Sequence, residues 1–169
     1  MNNLEVERDE VDELVEAWRR ERVDLDLAPV EVFSRIGRLA RLLDQARREA
    51  FAAHAIEIWE FDVLSAVRRA GHPYQLTPGA LLRHTMVTSG TMTNRVDRLA
   101  ARGLVERSPD PKDRRGVLVR LTPDGKRTVD GAFETLLESE RGLLSGLAPA
   151  DRGQLASLLK QLMGPLTLR

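Results

Sequence analysis

The sequence predicts a mainly helical fold that carries one small β-hairpin. Through most of the 169 residues, apolar side chains recur three and four positions apart, which is the spacing of amphipathic helices. Between residues 104 and 121 they alternate with polar ones, as in half-buried strands. Two short helices joined by a tight turn are expected just before the hairpin. From Leu76 to Gly125 this order of elements is a winged helix-turn-helix.

Two helices are predicted at the start of the chain. The first has four apolar residues at positions i, i+3, i+4 and i+7, namely Val11, Leu14, Val15 and Trp18. The second is expected to begin near Pro29, since proline suits a first helical turn, and to continue to His54. Its predicted buried residues are Phe33, Ile36, Ala40 and Leu43.

A third helix is expected from Glu57 to Ala70, and the candidate DNA-reading helix follows the turn. Thr88 is its predicted N-cap, and Gly103 is expected to stop it after Arg102. One face is apolar and should pack inward. The other faces carry polar side chains of the types that hydrogen-bond phosphates and base edges in a major groove. These candidate DNA contacts are Ser89, Thr91, Thr93, Asn94 and Arg98.

The hairpin strands are predicted at residues 104–107 and 117–121, with a charged loop at 110–116. Pro109 and Pro111 exclude helix there, while Asp110 and Gly116 suit turn positions. The loop should therefore project and leave its charged side chains able to reach a partner. The candidate contacts at its tip are Lys112, Asp113, Arg114 and Arg115.

Two further helices are expected after the hairpin. Thr122 and Pro123 begin a long one, whose apolar side holds Val129, Phe133, Leu136, Leu137, Leu144 and Leu147. Pro149 precedes a final helix that carries Leu155, Leu158, Leu159, Leu162 and Met163. These stripes exceed what one small domain needs to cover its core, so the terminal helices are expected to form a dimer interface. The alternative is a monomer in which they complete the helical core.

Charge is unevenly distributed, although 26 Lys and Arg balance 26 Asp and Glu. From Arg83 to Arg120, nine basic residues face four acidic ones, an excess of five positive charges. The first 24 residues hold nine acidic and four basic side chains. A neutral total thus conceals a basic patch, which binds polyanions by releasing counterions. The simpler interpretation is a solvated helix face beside a charged turn.

Residues 110–125, read as DPKDRRGVLVRLTPDG, resemble the wing signature of MarR-family transcriptional regulators. The resemblance extends to Glu-Phe-Asp-Val-Leu at 60–64 and Asn-Arg-Val-Asp-Arg-Leu at 94–99. It implies one domain over 1–169, in which 1–56 and 122–169 form the dimerisation region and 57–121 the DNA-binding region. It also implies that Arg115, steadied by Asp113, enters a minor groove. Two reading helices related by a two-fold axis would contact major grooves about 34–36 Å apart, so the expected partner is an inverted-repeat operator in double-stranded DNA.

The extra N-terminal helix is similar to that of the urate-responsive branch of the family. In that branch a tryptophan, an aspartate and two arginines enclose an anionic purine, and the matching residues are Trp18, Asp62, Arg95 and Arg107. The resemblance implies a repressor whose operator binding is weakened by a small anion such as urate. Aconitate or citrate would also suit a two-arginine pocket, and a DNA-binding protein with no small-molecule ligand is a further alternative.

The remaining residues assemble no enzyme and no metal site. The sequence contains no cysteine, which excludes thiolate ligands and thiol-based redox sensing. Its histidines, His54, His72 and His84, lie in separate segments without a second ligand at metal-binding spacing. No cofactor is expected. No segment approaches the roughly 20 apolar residues that span a membrane, and the acidic N-terminus does not resemble a secretion signal, so a cytoplasmic protein is predicted.

Overall fold

The computed structural model describes residues 8–85, 87–111 and 113–164. Over this part of the chain it forms seven helices and a three-stranded sheet. The fold class predicted from the sequence, mainly helical with a small β-wing, is confirmed. The chain divides into two compact units, one up to Gln45 and the other from Ala46 onward.

The first unit contains α1 (Glu10–Glu21) and the first part of α2 (Ala28–Ala52). Asp9 caps α1, since its side chain accepts hydrogen bonds from the backbone N–H groups of Val11 and Asp12. Arg35 on α2 donates to the same carboxylate at 2.8 Å and lowers the pKa of Asp9 to about 2. This network fixes the start of α1 against α2.

The apolar stripes of the first unit are only partly buried. Its core consists of Val11, Val15 and Leu27, with Val30 packed against it. Trp18 remains 49% exposed. Within the single chain the predicted burial of Phe33 and Ala40 is wrong, since Phe33 is 56% exposed and Ala40 is also exposed, because so small a core does not cover the length of α2. The helix also ends at Ala52, two residues before the predicted His54, since Ala55 adopts a left-handed conformation with φ of 55°.

The second unit contains the winged helix-turn-helix. Its remaining elements are α3 (Ile58–Arg69), β1 (Gln75–Leu76), α4 (Pro78–Thr85), α5 (Ser89–Ala101), β2 (Val105–Asp110), β3 (Asp113–Leu121), α6 (Pro123–Leu143) and α7 (Pro149–Met163). The Thr88 side chain accepts from the Thr91 backbone N–H at the start of α5. Gly103 follows the helix with φ of 70°. The predicted N-cap of α5 is confirmed, and the helix ends at Ala101, one residue before the predicted Arg102, which is its C-cap.

The sheet is antiparallel with the strand order β1-β3-β2. Its wing, residues 105–121, differs from prediction, because β2 extends to Asp110 and β3 begins at Asp113. The predicted seven-residue loop is therefore mostly strand; the pairing has a register shift between Pro109 and Asp110, and Pro111 lies in the turn. Strand β1 was not predicted. With two residues it is too short to show alternation, and only its pairing with β3 defines it.

Helices α6 and α7 follow the wing. The side chain of Thr122 caps α6, and the helix ends at Leu143, so Leu144 and Leu147 of the predicted stripe lie in the connection to α7. Helix α7 has no buried residue, and Leu155, Leu158, Leu162 and Met163 are exposed in the single chain. Among the residues described, no helix combines the length and apolar character needed to cross a membrane.

Candidate functional site

Helix α5 packs one face into the core and leaves its polar residues at the surface. Met92, Val96 and Leu99 are buried. The predicted DNA contacts on the helix are exposed, namely Ser89, Thr91, Thr93, Asn94 and Arg98. Thr93 donates its hydroxyl to the Ser89 carbonyl at 3.1 Å. The exposed row thus presents hydrogen-bonding groups on a helix held firmly from behind, as a DNA-reading helix requires.

The C-terminal end of α5 is attached to the start of α3 through a buried carboxylate. Glu60 is 1% exposed, and both its oxygens lie 2.6 Å from Nη1 of Arg102. It also accepts from the Glu57 backbone N–H, while Nη2 of Arg102 donates to the Ala55 carbonyl. Sequence reasoning counted Arg102 only in the basic patch and gave Glu60 no partner. The one sequence signal for this pair was the position of Glu60, an acidic residue on the apolar side of its helix, which indicates a buried carboxylate that needs a partner.

Trp59 on α3 lies against two arginines of α5. The guanidinium carbons of Arg98 and Arg95 are 4.7 and 5.4 Å from its ring centroid, within the range of cation–π attraction. Arg98 also forms an ion pair with Glu57 at 3.2 Å. The sequence identified Trp59 only as an aromatic suited to packing. The structure shows instead that it contacts the helix that carries the candidate DNA contacts.

A pocket of about 540 Å³ opens beside Trp59 in the second unit. It is lined by Arg48, Ala52, Ile56, Glu57, Ile58, Trp59, Asp62 and Arg95. The structure therefore brings together two of the predicted ligand residues, Asp62 and Arg95. Asp62 accepts a long hydrogen bond, 3.5 Å, from Arg47. Arg48 was missed because it belongs to a charged helix in which nothing in the sequence distinguishes one arginine from the next.

The other two predicted ligand residues have different surroundings. Arg107 on β2 forms an ion pair with Asp97 of α5 at 2.9 Å and donates to the Thr93 carbonyl at 3.4 Å. It does not line the pocket. Trp18 lies on α1 of the first unit, half-exposed. Their role in ligand binding stays a prediction.

The wing tip holds the remaining candidate DNA contacts. Asp113 starts β3 and is exposed, and Arg114 and Arg115 follow it on the same strand. Lys112 lies outside the described residues. The short turn places all three strand residues at the end of the hairpin, where the sequence expected them. Whether they contact DNA stays a prediction.

A second, smaller cavity of about 300 Å³ lies between α3 and α6, lined in part by Phe61, Arg68 and Phe133. Arg68 pairs with Asp130 at 2.8 Å, and Lys126 pairs with the same carboxylate at 2.9 Å. Burial by itself would raise the pKa of Asp130, but the two cationic hydrogen bonds outweigh it and hold the pKa below its ordinary value. Over the described residues, no three potential ligands converge on a metal site.

The winged helix places the chain among known proteins. A family model described as the MarR family matches residues 56–116. The chain is 35% identical over 150 residues to the HTH-type transcriptional regulator PecS of Dickeya dadantii. The matched region covers 89% of this chain and 90% of PecS. The chain belongs to the MarR family. It is accordingly a transcriptional regulator with a winged helix-turn-helix.

Two solved structures are similar to this protein over most of its chain. A crystal structure of a MarR mutant from E. coli complexed with operator DNA has 31% identity and a TM-score of 0.62, covering 78% of this chain and 98% of that one. BpsR of Bordetella bronchiseptica, whose DNA binding is regulated by 6-hydroxynicotinic acid, has 30% identity and a TM-score of 0.57, covering 76% of this chain and 98% of BpsR.

Proposed function

We propose that this MarR-family protein is a cytoplasmic, homodimeric repressor that releases its operator when a small anion occupies the pocket beside Trp59. The observation that supports this most directly is the position of Arg95. It belongs to α5, which carries the candidate DNA contacts, and it also lines the pocket. A ligand that binds one state of this helix better than another shifts the equilibrium between them, and DNA affinity changes with it.

Binding to an inverted repeat rests on the exposed polar row of α5, on the basic wing and on similarity to a DNA-bound relative. The experiment is a mobility-shift titration with the DNA upstream of the protein's own gene and its neighbour, followed by footprinting. We expect a protected inverted repeat. Protection of a single half-site, or equal affinity for unrelated DNA, would contradict the proposal.

A homodimer is supported by the apolar residues that the single chain leaves exposed. On α7 these are Leu155, Leu158, Leu162 and Met163, and on α2 Phe33 is an example. Exposing apolar area to water costs about 25 cal/mol per Å², so a row of exposed apolar side chains on one helix is commonly covered by a partner. Light scattering coupled to size exclusion should give twice the 19.0 kDa chain mass. A monomer at micromolar concentration would contradict it.

Ligand response rests on Asp62 and Arg95, with Trp18 and Arg107 as further predicted contacts. Arginine presents a planar fork that suits carboxylates and the oxygen edge of a purine anion. Urate, citrate and aconitate are the first compounds to test, together with 6-hydroxynicotinate because BpsR responds to that acid. Calorimetry measures binding, and a mobility shift with each compound present measures its effect. Unchanged operator affinity at saturation with all four would contradict the proposal.

A regulator without a small-molecule ligand is the competing function. It is favoured by the involvement of Arg107 in an ion pair with Asp97, which is a structural role. Thermal melting distinguishes the two functions, because only a ligand-responsive regulator should be stabilised by one of the candidate compounds. A ligand that binds only the folded protein adds roughly 2.7 kcal/mol of stability at 100 times its dissociation constant.

A further inference from the structure

Three arginines of the candidate reading helix and its C-cap are directed at the start of α3. They are Arg95, Arg98 and Arg102, and residues at this spacing share one side of a helix. The guanidinium carbons of Arg95 and Arg98 lie 5.4 and 4.7 Å from the centroid of the Trp59 ring. Arg102 binds the buried carboxylate of Glu60. This side of α5 therefore contacts protein.

Arg98 has two partners at the start of α3, although it is exposed. Its Nη2 lies 3.2 Å from Oε1 of Glu57, the N-cap residue of α3, and its guanidinium also lies over the Trp59 ring. The side chains of Arg98 and Glu57 are 55% and 63% exposed, so their ion pair contributes little to stability. The pair still determines where the guanidinium lies, since an unpaired arginine at the surface has many rotamers to choose from.

The position of the Arg98 side chain affects Asn94. The two residues are four apart on α5, so their side chains are neighbours on one face. Helical side chains lean toward the N-terminus of their helix, so an unrestrained Arg98 would cover the turn that carries Asn94. Asn94 is exposed, and its amide is of the type that reads adenine in a major groove. Pairing with Glu57 draws the guanidinium away from this turn toward α3.

A free guanidinium on the reading helix would weaken discrimination between DNA sequences. Arginine pairs with any phosphate, and phosphate contacts carry no sequence information. On unrelated DNA, where binding depends on phosphates, one additional contact strengthens binding directly. On the operator, the freed Arg98 would compete for space with Asn94, so the gain should be smaller. Restraint of Arg98 thus favours the operator over unrelated DNA.

We propose that Glu57 and Trp59 are specificity-determining residues, which hold Arg98 against α3 so that it neither pairs with phosphates nor covers Asn94. Glu57 supplies the opposite charge, and Trp59 supplies a ring face on which the planar guanidinium packs. Neither residue has to touch DNA for this role. The inference rests on the proposed contact between α5 and an operator, and it removes Arg98 from the candidate DNA contacts.

The test measures the affinity of the full chain for its footprinted operator and for unrelated DNA of the same length, by fluorescence anisotropy at several salt concentrations. Glu57→Gln keeps an oxygen acceptor but removes the charge. We expect it to raise affinity for unrelated DNA about fivefold, the upper end for loss of an exposed ion pair, and operator affinity less. On unrelated DNA the slope of log K against log salt should steepen by about 1, because one more phosphate contact forms.

A double variant shows whether the effect acts through Arg98. Loss of a negative charge can by itself strengthen DNA binding. We therefore expect Glu57→Gln combined with Arg98→Gln to bind both DNAs as Arg98→Gln alone does. Asp124→Asn is the charge-matched control, since it also breaks an exposed ion pair with an arginine, Arg127, but in the first turns of α6. It should leave the ratio of the two affinities unchanged.

Two replacements test Trp59. Trp59→Leu removes the ring face and should lower the ratio of operator to unrelated affinity, as Glu57→Gln does, whereas Trp59→Phe keeps a ring and should lower it less. A folded Trp59→Leu protein with the wild-type ratio would overturn the role given to Trp59. Circular dichroism checks folding, and if Trp59→Leu is unfolded, Trp59→Phe and Glu57→Gln decide, since the first keeps a ring and the second alters an exposed side chain.

The outcomes separate this inference from the proposed function. If the wild type binds operator and unrelated DNA equally, the proposed operator binding fails and the inference fails with it. If the wild type discriminates but Glu57→Gln leaves the ratio unchanged or raises it, only the inference is overturned. A gain on unrelated DNA that persists when Arg98→Gln is added would also overturn it, because the gain would then not depend on the freed guanidinium.

Discussion

Nη1 of Arg102 lies 2.6 Å from both carboxylate oxygens of Glu60, which is almost completely buried. The pair connects the last turn of α5 with the first turn of α3, next to the pocket beside Trp59. A buried carboxylate is tolerated only when it is paired and hydrogen-bonded. This contact therefore attaches the C-terminal end of the candidate reading helix to the start of α3.

Replacing Arg102 should destabilise the protein. Arg102→Ala leaves Glu60 buried with only the Glu57 backbone N–H as a donor, so we expect a loss of about 2 kcal/mol in urea unfolding. Arg98→Ala is the comparison, because Arg98 is exposed and its ion pair with Glu57 and its contact with the Trp59 ring should together contribute about 1 kcal/mol or less. Equal stability of Arg102→Ala and the wild type would show that Glu60 is not a buried charge.

Gly125 should not accept a side chain. A Cβ at this position in the first turn of α6 would overlap the carbonyl oxygen of Leu104, and backbone cannot easily move aside. Gly125→Ala should cost about 3 kcal/mol, measured by thermal melting. Gly142→Ala is the control in the same helix, since nothing lies within 4 Å of its Cβ. It should be neutral or stabilising by about 0.5–1 kcal/mol.

The ion pair between Arg68 and Asp130 should make stability depend on pH in the acid range. The pKa of Asp130 is lower in the folded protein, so its stabilising effect is present above the unfolded pKa of about 3.9 and is lost as the pH falls through the folded value. Arg68→Gln should be less stable than the wild type at pH 7, by at most about 1 kcal/mol for a pair that is one-third exposed. The difference should narrow below about pH 4 in urea titrations. A difference that stays constant down to pH 2 would contradict this assignment.

The polar row of α5 and the wing should contribute differently to DNA binding. Asn94→Ala removes the amide of a candidate base contact, so we expect operator affinity to fall about tenfold or more while affinity for unrelated DNA is unchanged. Arg115→Ala removes a charge, so both affinities should fall and the slope of log K against log salt should decrease by about 1. Fluorescence anisotropy at several salt concentrations measures both. If Arg115→Ala lowered only operator affinity and Asn94→Ala lowered both affinities, Arg115 would be the base contact and Asn94 the phosphate contact.

Arg107 has two competing roles that one pair of variants separates. If it braces β2 against α5, then Asp97→Asn and Arg107→Gln should lower operator affinity by similar factors, and the double variant should be little worse than either. If it binds the ligand instead, Arg107→Gln should weaken the binding of urate or another candidate compound and Asp97→Asn should not. Calorimetry beside the DNA titration distinguishes these outcomes.

Local sequence signals located the elements of the second unit. The Thr88 and Thr122 caps, the stop at Gly103 and the alternation at 117–121 each act within a few residues, so they could be read directly. Signals that act within a few residues do not identify the ion-pair partner of a side chain. With 26 basic and 26 acidic residues, the partner of any one arginine depends on how the helices pack. The ion pairs of Arg102 with Glu60 and of Arg107 with Asp97 were therefore not predicted.

The sequence by itself determined the fold class, the position of α5 and the wing, and the family to which the chain belongs, because these depend on periodicity, caps and a contiguous signature. Only the tertiary structure decided that Trp59, Arg48 and Arg95 share a pocket while Arg107 pairs with Asp97. Residues 48, 59 and 95 come from three helices, and no local pattern records which side chains their packing brings together. The same holds for the length of the wing strands, since pairing across the hairpin extends β2 past Pro109, where local propensity predicts no strand.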